Sequence, residues 1–185
     1  MRSSKYIKTI FCLSMLFAVL SCEPTNPFNN GPTYDIEENL ERDRVIIDEY
    51  LASTEIDSLY RIHHESGIIV IVQEEGEGTR PSVGSVVYTD YTGSLISDGT
   101  VFDTSLEDVA RENDLFDENR DYVPIEFSIG QARVIQGWEI GFQRLRPGSK
   151  AVLIIPSPYA YRDTERDVIP PNSVLRFDVD FLGID

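Results

Sequence analysis

The chain has few of the side chains that most catalytic chemistry is built from. Cysteine occurs twice in 185 residues, as Cys12 and Cys22. Both lie near the N-terminus, so neither a disulfide framework nor a cysteine zinc site can be assembled from them. Histidine also occurs twice, as the neighbours His63 and His64. No histidine follows them, which excludes a Ser-His-Asp or Cys-His pair from the rest of the chain. If that stretch is helical, adjacent side chains point about 100° apart and do not converge on one ion. No metal and no cofactor are therefore expected. Gly76-Glu77-Gly78 is too short and too acidic to cradle a phosphate. Positive charge is scarce, with 16 Lys and Arg against 32 Asp and Glu and a net charge of −16. Phosphate backbones would repel such a chain, so nucleic acid is not an expected partner, and polybasic attraction to anionic lipid is excluded on the same ground. Carboxylates are plentiful, but none stands in a distinctive acid–base motif and most are expected at the surface. The 41% hydrophobic and 10% aromatic content is ample for a folded domain, and the length fits one domain plus extras.

Long apolar runs are also missing. Ile10 to Leu20 is the most apolar stretch, about half the ~20 residues that a bilayer-spanning helix needs. Arg2, Lys5 and Lys8 precede it and Ala18-Val19-Leu20-Ser21-Cys22 follows. The order basic, apolar, small is that of a secretory signal. The final residues resemble a bacterial lipobox, with Val19 where leucine is usual. In signals of that kind cleavage precedes the cysteine, which carries the lipid. The expectation is a signal peptide over residues 1–21, lipid on Cys22, and a place in the bacterial cell envelope, facing the periplasm on the outer membrane.

Residues 22–33 hold Pro24, Pro27, Pro32, Gly31 and three asparagines and read as a flexible tether. Residues 34–66 read as a helical segment. Ile36, Leu40, Ile47 and Leu51 fall at helical spacing, and Thr54 with Asp57 suggests a capping box for a second short helix carrying Ile56, Leu59 and Tyr60. From 67 to 185 the pattern becomes β. Apolar runs at Ile68–Val72 and Ala151–Ile155, Val86–Tyr91, the alternation Ile125-Phe127-Ile129, and Leu175-Phe177-Val179-Phe181 each read as a strand. Val134 to Leu145, with Trp138 and Phe142, reads as the only helix of that part. Five or six antiparallel strands with one helix on a sheet face is an α+β fold.

Four ordered segments carry a family resemblance: Tyr91-Thr92-Gly93 with Asp98-Gly99-Thr100-Val101-Phe102-Asp103; Val134-Ile135-Gln136-Gly137-Trp138-Glu139 with Gly141; Ile155-Pro156 with Tyr159-Ala160-Tyr161; and Val168-Ile169-Pro170-Pro171 with Leu175 and Phe177. Together they resemble the signatures of FKBP-type peptidyl-prolyl cis-trans isomerases, in a bacterial lipoprotein form. The resemblance implies a five- or six-stranded antiparallel sheet wrapped around a short helix, and isomerisation of X–Pro bonds in exported proteins. By resemblance Trp138 forms a pocket floor and Tyr91, Phe102, Val134, Ile135 and Phe177 its walls. The Ile135 N–H and the Tyr161 hydroxyl hold substrate carbonyls, Asp103 sits at the pocket edge, and Ile169 closes the rim. Catalytic roles then fall to Tyr91, Phe102, Asp103, Trp138 and Tyr161, and substrate binding to Ile125, Val134, Ile135, Ile169 and Phe177.

The chain departs from the family pattern in three places. Ile125 replaces a common phenylalanine at a wall, and Arg162 follows Tyr161 where glycine is common. The third departure is residues 106–123, an insertion with seven acidic residues against Arg111 and Arg120. The family's short loop there supplies an arginine that supports the pocket aspartate; either Arg111 or Arg120 could replace it. The insertion is expected to be a solvated loop, or else a rim element that favours cationic clients. Proline-containing polypeptides are the expected clients and the membrane is reached through the lipid. An envelope protein could also dock on the 34–66 segment. The rival reading keeps the fold as a chaperone or interaction module without turnover.

Overall fold

The computed structural model describes residues 33–185. The leader, Cys22 and the tether up to Pro32 lie outside the described residues. The first element is helix α1 (Ile36–Ser53). Asp35 caps it by accepting from the Glu37 and Glu38 N–H groups, and those two acids complement the positive helix end. The expected second helix is absent. Thr54 turns extended and ends α1, and Tyr60–His63 form strand β1. Ile56, Leu59 and Tyr60 do fall at helical spacing. Pairing of β1 with the next strand, register Tyr60↔Val72 to His63↔Ile69, outweighs that local preference. The two histidines accordingly stand at a strand end, where consecutive side chains alternate faces.

The remaining strands are β2 (Ile69–Glu74), β3 (Val86–Leu95), β4 (Val101–Thr104), β5 (Ile125–Ser128), β6 (Lys150–Ile155) and β7 (Leu175–Ile184). All pairings are antiparallel, in the order β1-β2-β6-β7-β3-β4, with β5 also on β3. The sheet is therefore seven-stranded, one or two strands wider than expected, because β1 and β4 join it. Helix α2 (Glu107–Glu112) lies in the insertion, so α3 (Gln136–Phe142) is not the only helix after residue 67. Helix α3 is also shorter than the expected span: Val134 and Leu145 lie outside it, and Ile135 caps it with extended backbone.

Burial explains the two kinds of strand pattern. In β3 and β7 buried residues alternate with half-exposed ones. In β2 and β6 nearly every residue is buried. Both faces are covered there. Val70, Val72, Leu153 and Ile155 face the core that holds Trp138 and Phe142, while Ile69, Ile71, Val152 and Ile154 pack with Ile47 of α1. Helix α3 lies close on β6. A Cβ at Gly137 would collide with the Ile155 side chain, so only glycine allows this approach. That closeness sets the depth of Trp138.

Candidate functional site

The four motif segments converge on one side of the sheet. Trp138 on α3 is 4% exposed and is ringed by aromatic side chains. Its ring centroid lies 5.1 Å from Tyr91 and 5.2 Å from Phe177, both edge-on, and 5.5 Å from Phe127 and Phe142. Phe102 on β4 meets Phe177 on β7 edge-on at 5.6 Å. Such arrangements place ring edges against ring faces, which the aromatic quadrupole favours. Above these rings opens a cavity of about 560 Å³. All ten site residues expected from the sequence line it: Tyr91, Phe102, Asp103, Ile125, Val134, Ile135, Trp138, Tyr161, Ile169 and Phe177. Arg120, Arg133, Arg166, Asp167 and Val168 complete the wall and were not foreseen as lining residues.

Gly93 explains why the motif on β3 needs a glycine. A Cβ there would stand 2.6 Å from the Phe102 ring and 2.7 Å from the Phe177 ring. The two wall rings occupy the space that any side chain at 93 would need.

The cavity edge is held by charge. The Tyr91 hydroxyl donates to Asp103 Oδ2 at 2.5 Å, and Arg120 Nη1 donates to Asp103 Oδ1 at 2.7 Å. The arginine question is thereby answered. Arg111 instead pairs with Glu107 one helical turn away and lies over the Phe116 ring at 3.4 Å. Phe116 stacks on Tyr122, giving the insertion a small aromatic centre beside Arg120. None of the seven acidic residues of the insertion lines the cavity; the residue it sends there is a cation. Burial, followed by the bond to Asp103, pushes the Tyr91 hydroxyl well above the usual phenol range. For Arg120, burial works against the charge, but the Asp103 and Tyr91 contacts outweigh it and raise its proton affinity. Both side chains of the Arg120–Asp103 pair are 40% exposed, so it contributes only about 0–1 kcal/mol to stability. Its effect is to fix the carboxylate at the rim.

The two donors that the resemblance assigns to substrate carbonyls are open at the cavity. Among the described residues no acceptor engages the Ile135 N–H, which precedes α3, or the Tyr161 hydroxyl. Burial, with the Asp103 charge, raises the Tyr161 hydroxyl above its ordinary value, so it stays protonated and able to donate near neutral pH. Glu139, from the same motif as Trp138, accepts from the Gly130 and Ala132 N–H groups and ties the preceding loop to α3. The geometry offers an aromatic slot with these two donors and several charged side chains at its edge, and no positioned nucleophile–base pair among its lining residues.

The comparisons with known proteins agree with this geometry. The family model described as FKBP-type peptidyl-prolyl cis-trans isomerase matches residues 77–182. The chain is 40% identical over 121 residues to the peptidyl-prolyl cis-trans isomerase Fkbp12 of Drosophila melanogaster, covering 64% of this chain and 99% of that protein. It is 38% identical over 120 residues to the probable FKBP-type peptidyl-prolyl cis-trans isomerase FkpA of Neisseria meningitidis, covering 64% of this chain but only 38% of that longer protein. Among solved structures, the crystal structure of FkpA from Escherichia coli superposes with a TM-score of 0.60 at 28% identity, over 81% of this chain and 62% of that one.

Proposed function

Because the chain belongs to the FKBP-type peptidyl-prolyl cis-trans isomerase family, we propose that the cavity floored by Trp138 is where it isomerises X–Pro bonds. The observation that carries this reading is an aromatic cavity with the Ile135 N–H and the Tyr161 hydroxyl unengaged at its edge. Rotation about an X–Pro bond must break amide resonance, a barrier of roughly 18–20 kcal/mol. The twisted amide has lost most of its charge separation. A cavity that removes the bond from water therefore disfavours the planar amide more than the twisted one. In this scheme the proline ring sits on Trp138 between Tyr91, Phe102 and Phe177. The Ile135 N–H and the Tyr161 O–H hold the flanking carbonyls so that one side of the bond is fixed while the other turns. Asp103, steadied by Tyr91 and Arg120, bounds the slot on the side of the twisting carbonyl, with Ile125, Val134 and Ile169 closing it.

Tyr161→Phe removes one donor and leaves the ring in place. The expected result is a fall in kcat/KM of about threefold to tenfold on an X–Pro tetrapeptide, the size of one hydrogen bond, with an unchanged melting temperature. Unchanged kcat/KM would remove Tyr161 from the site. No acceleration by the unaltered chain, over several residues X, would leave a binding module without turnover.

We further propose that the clients are exported proteins and that lipid on Cys22 holds the enzyme in the cell envelope. The basic leader, the short apolar run and the position of Cys22 directly after Leu20-Ser21 support this. Cys22→Ser is expected to move the protein from the detergent phase to the aqueous phase after expression in a bacterial host. Retention in the detergent phase would contradict the anchor.

A further inference from the structure

Helix α1 bears a carboxylate that a surface helix has no reason to bury. Asp43 is 0% exposed. An ionised carboxylate in such a place must be compensated. One compensating donor is the neighbouring Arg42, whose Nε and Nη2 reach Asp43 Oδ1 at 3.0 and 2.5 Å. The other is distant in sequence: the Ser157 backbone N–H donates to Asp43 Oδ2 at 2.7 Å. Arg42 Nη2 also donates to Ser157 Oγ at 3.1 Å and to the Asn172 carbonyl at 3.3 Å.

Ser157 opens the 3-10 turn Ser157–Tyr159, which leads directly into Tyr161. Its carbonyl accepts from the Ala160 and Arg162 N–H groups, both at 3.0 Å. Those two residues flank Tyr161. Arg162 in turn accepts from the Asn172 N–H at 2.6 Å, which joins the Tyr161 loop to the segment following Ile169. The loop also holds a residue in the left-handed region, Arg162 at φ 58°, where the backbone needs outside support to stay. So the donor and hydroxyl of Ser157 are held from α1, while its carbonyl holds both neighbours of Tyr161.

We propose that Asp43, together with Arg42, is a positioning residue for isomerisation: it sets the Tyr161 hydroxyl at the cavity edge through Ser157. This rests on the reading of the cavity given above. Helix α1 then acts as a brace for one wall of the substrate slot as well as a cover for the outer face of the sheet. Two further polar groups surround this link: the Tyr34 hydroxyl bonds Ser157 Oγ at 3.2 Å, and the Arg162 guanidinium lies over the Tyr34 ring.

The test is a double-mutant cycle in the full-length chain, read as kcat/KM on an X–Pro tetrapeptide. Asp43→Asn keeps one acceptor for the Ser157 N–H but turns a donor toward Arg42. It is expected to lower kcat/KM about threefold to tenfold, the range of one misplaced hydrogen bond. Combined with Tyr161→Phe it should cost nothing more, because the hydroxyl it positions is already gone. Combined with Phe102→Leu its effect should multiply in full. Arg42→Lys, on a half-exposed side chain, keeps a cation beside the buried carboxylate but loses the forked bonds to Asp43 and Ser157; it is expected to give the same pattern and serves if Asp43→Asn folds poorly. Multiplicative effects of Asp43→Asn and Tyr161→Phe would overturn the proposal, as would an Asp43→Asn or Arg42→Lys chain with unaltered kcat/KM. If Tyr161→Phe alone changes nothing, the cavity reading has failed and the positioning role falls with it. If Tyr161→Phe costs activity and the cycle is additive, only the positioning role is lost.

Discussion

Trp138→Ala is expected to lower the unfolding free energy by about 3–5 kcal/mol and to reduce kcat/KM more than tenfold. The side chain is almost fully buried and touches four aromatic rings from β3, β5, β7 and its own helix. Truncation opens a void that α3 cannot close, because Gly137 already places it against Ile155. Trp138 is the only tryptophan, so unfolding is followed by far-ultraviolet circular dichroism in denaturant rather than by fluorescence. Trp138→Phe separates packing from chemistry. The indole N–H is buried and has no acceptor among the described residues, so phenylalanine removes an unsatisfied donor while keeping most of the ring. A cost within about 1.5 kcal/mol is expected for that change. A Trp138→Ala chain within about 1 kcal/mol of the unaltered protein would show that the side chain is not the floor of a packed cavity.

Gly93→Ala carries the second large effect. One added methyl group must displace the Phe102 or Phe177 ring, which stand 2.6 and 2.7 Å from the new Cβ. Overpacking of this kind costs about 1–3 kcal/mol. Displacing either ring narrows the slot into which a proline ring must fit, so kcat/KM is expected to fall more than tenfold, mostly through KM. Gly183→Ala in β7 is the matched control, since nothing lies within 4 Å of its Cβ. That variant should keep its activity and stability. Equal behaviour of the two variants in the peptide assay would mean that Phe102 and Phe177 do not bound the substrate slot.

Much of the fold was legible because its signals are local. The unbroken apolar runs of β2 and β6 and the alternation in β7 each read as a strand, and each is one. What covers the second face of β2 and β6 was less legible, since α1 carries few apolar residues between its charges. Strand β1 was missed for a different reason. Residues 56–60 satisfy helical spacing over too short a window, and the decision is made by pairing with β2. Strand β4 was not legible because Val101–Thr104 is only four residues long and is fixed by its pairings with β3, Gly93↔Asp103 among them.

The cavity residues were legible as an ordered set of motifs, not singly. Trp138 or Phe177 alone reads as plain core, and both are core: the floor of the cavity is the top of the aromatic cluster. The partner of Asp103 was not legible. Arg111 and Arg120 stand nine residues apart in the insertion, and only the fold of that segment sends Arg111 to Glu107 and Arg120 to the rim. Asp43 was the least legible of all. In sequence it is one acid among many on a charged helix, and its burial depends on Ser157, 114 residues away.

Under the proposed mechanism of desolvation and positioning, no group must gain or lose a proton for the cavity to isomerise X–Pro bonds. The most direct test is the rate of cis–trans isomerisation of a Leu–Pro tetrapeptide, measured with and without the protein from about pH 5.5 to 9.5. Tyr161 stays protonated across that range, its hydroxyl being held above the ordinary value near 10 by burial. Histidine, the side chain that titrates there, is absent from the cavity. A saturable acceleration is expected, with kcat/KM level over the whole range. No acceleration, or a kcat/KM that rises or falls through an inflection near pH 6–8, would contradict it.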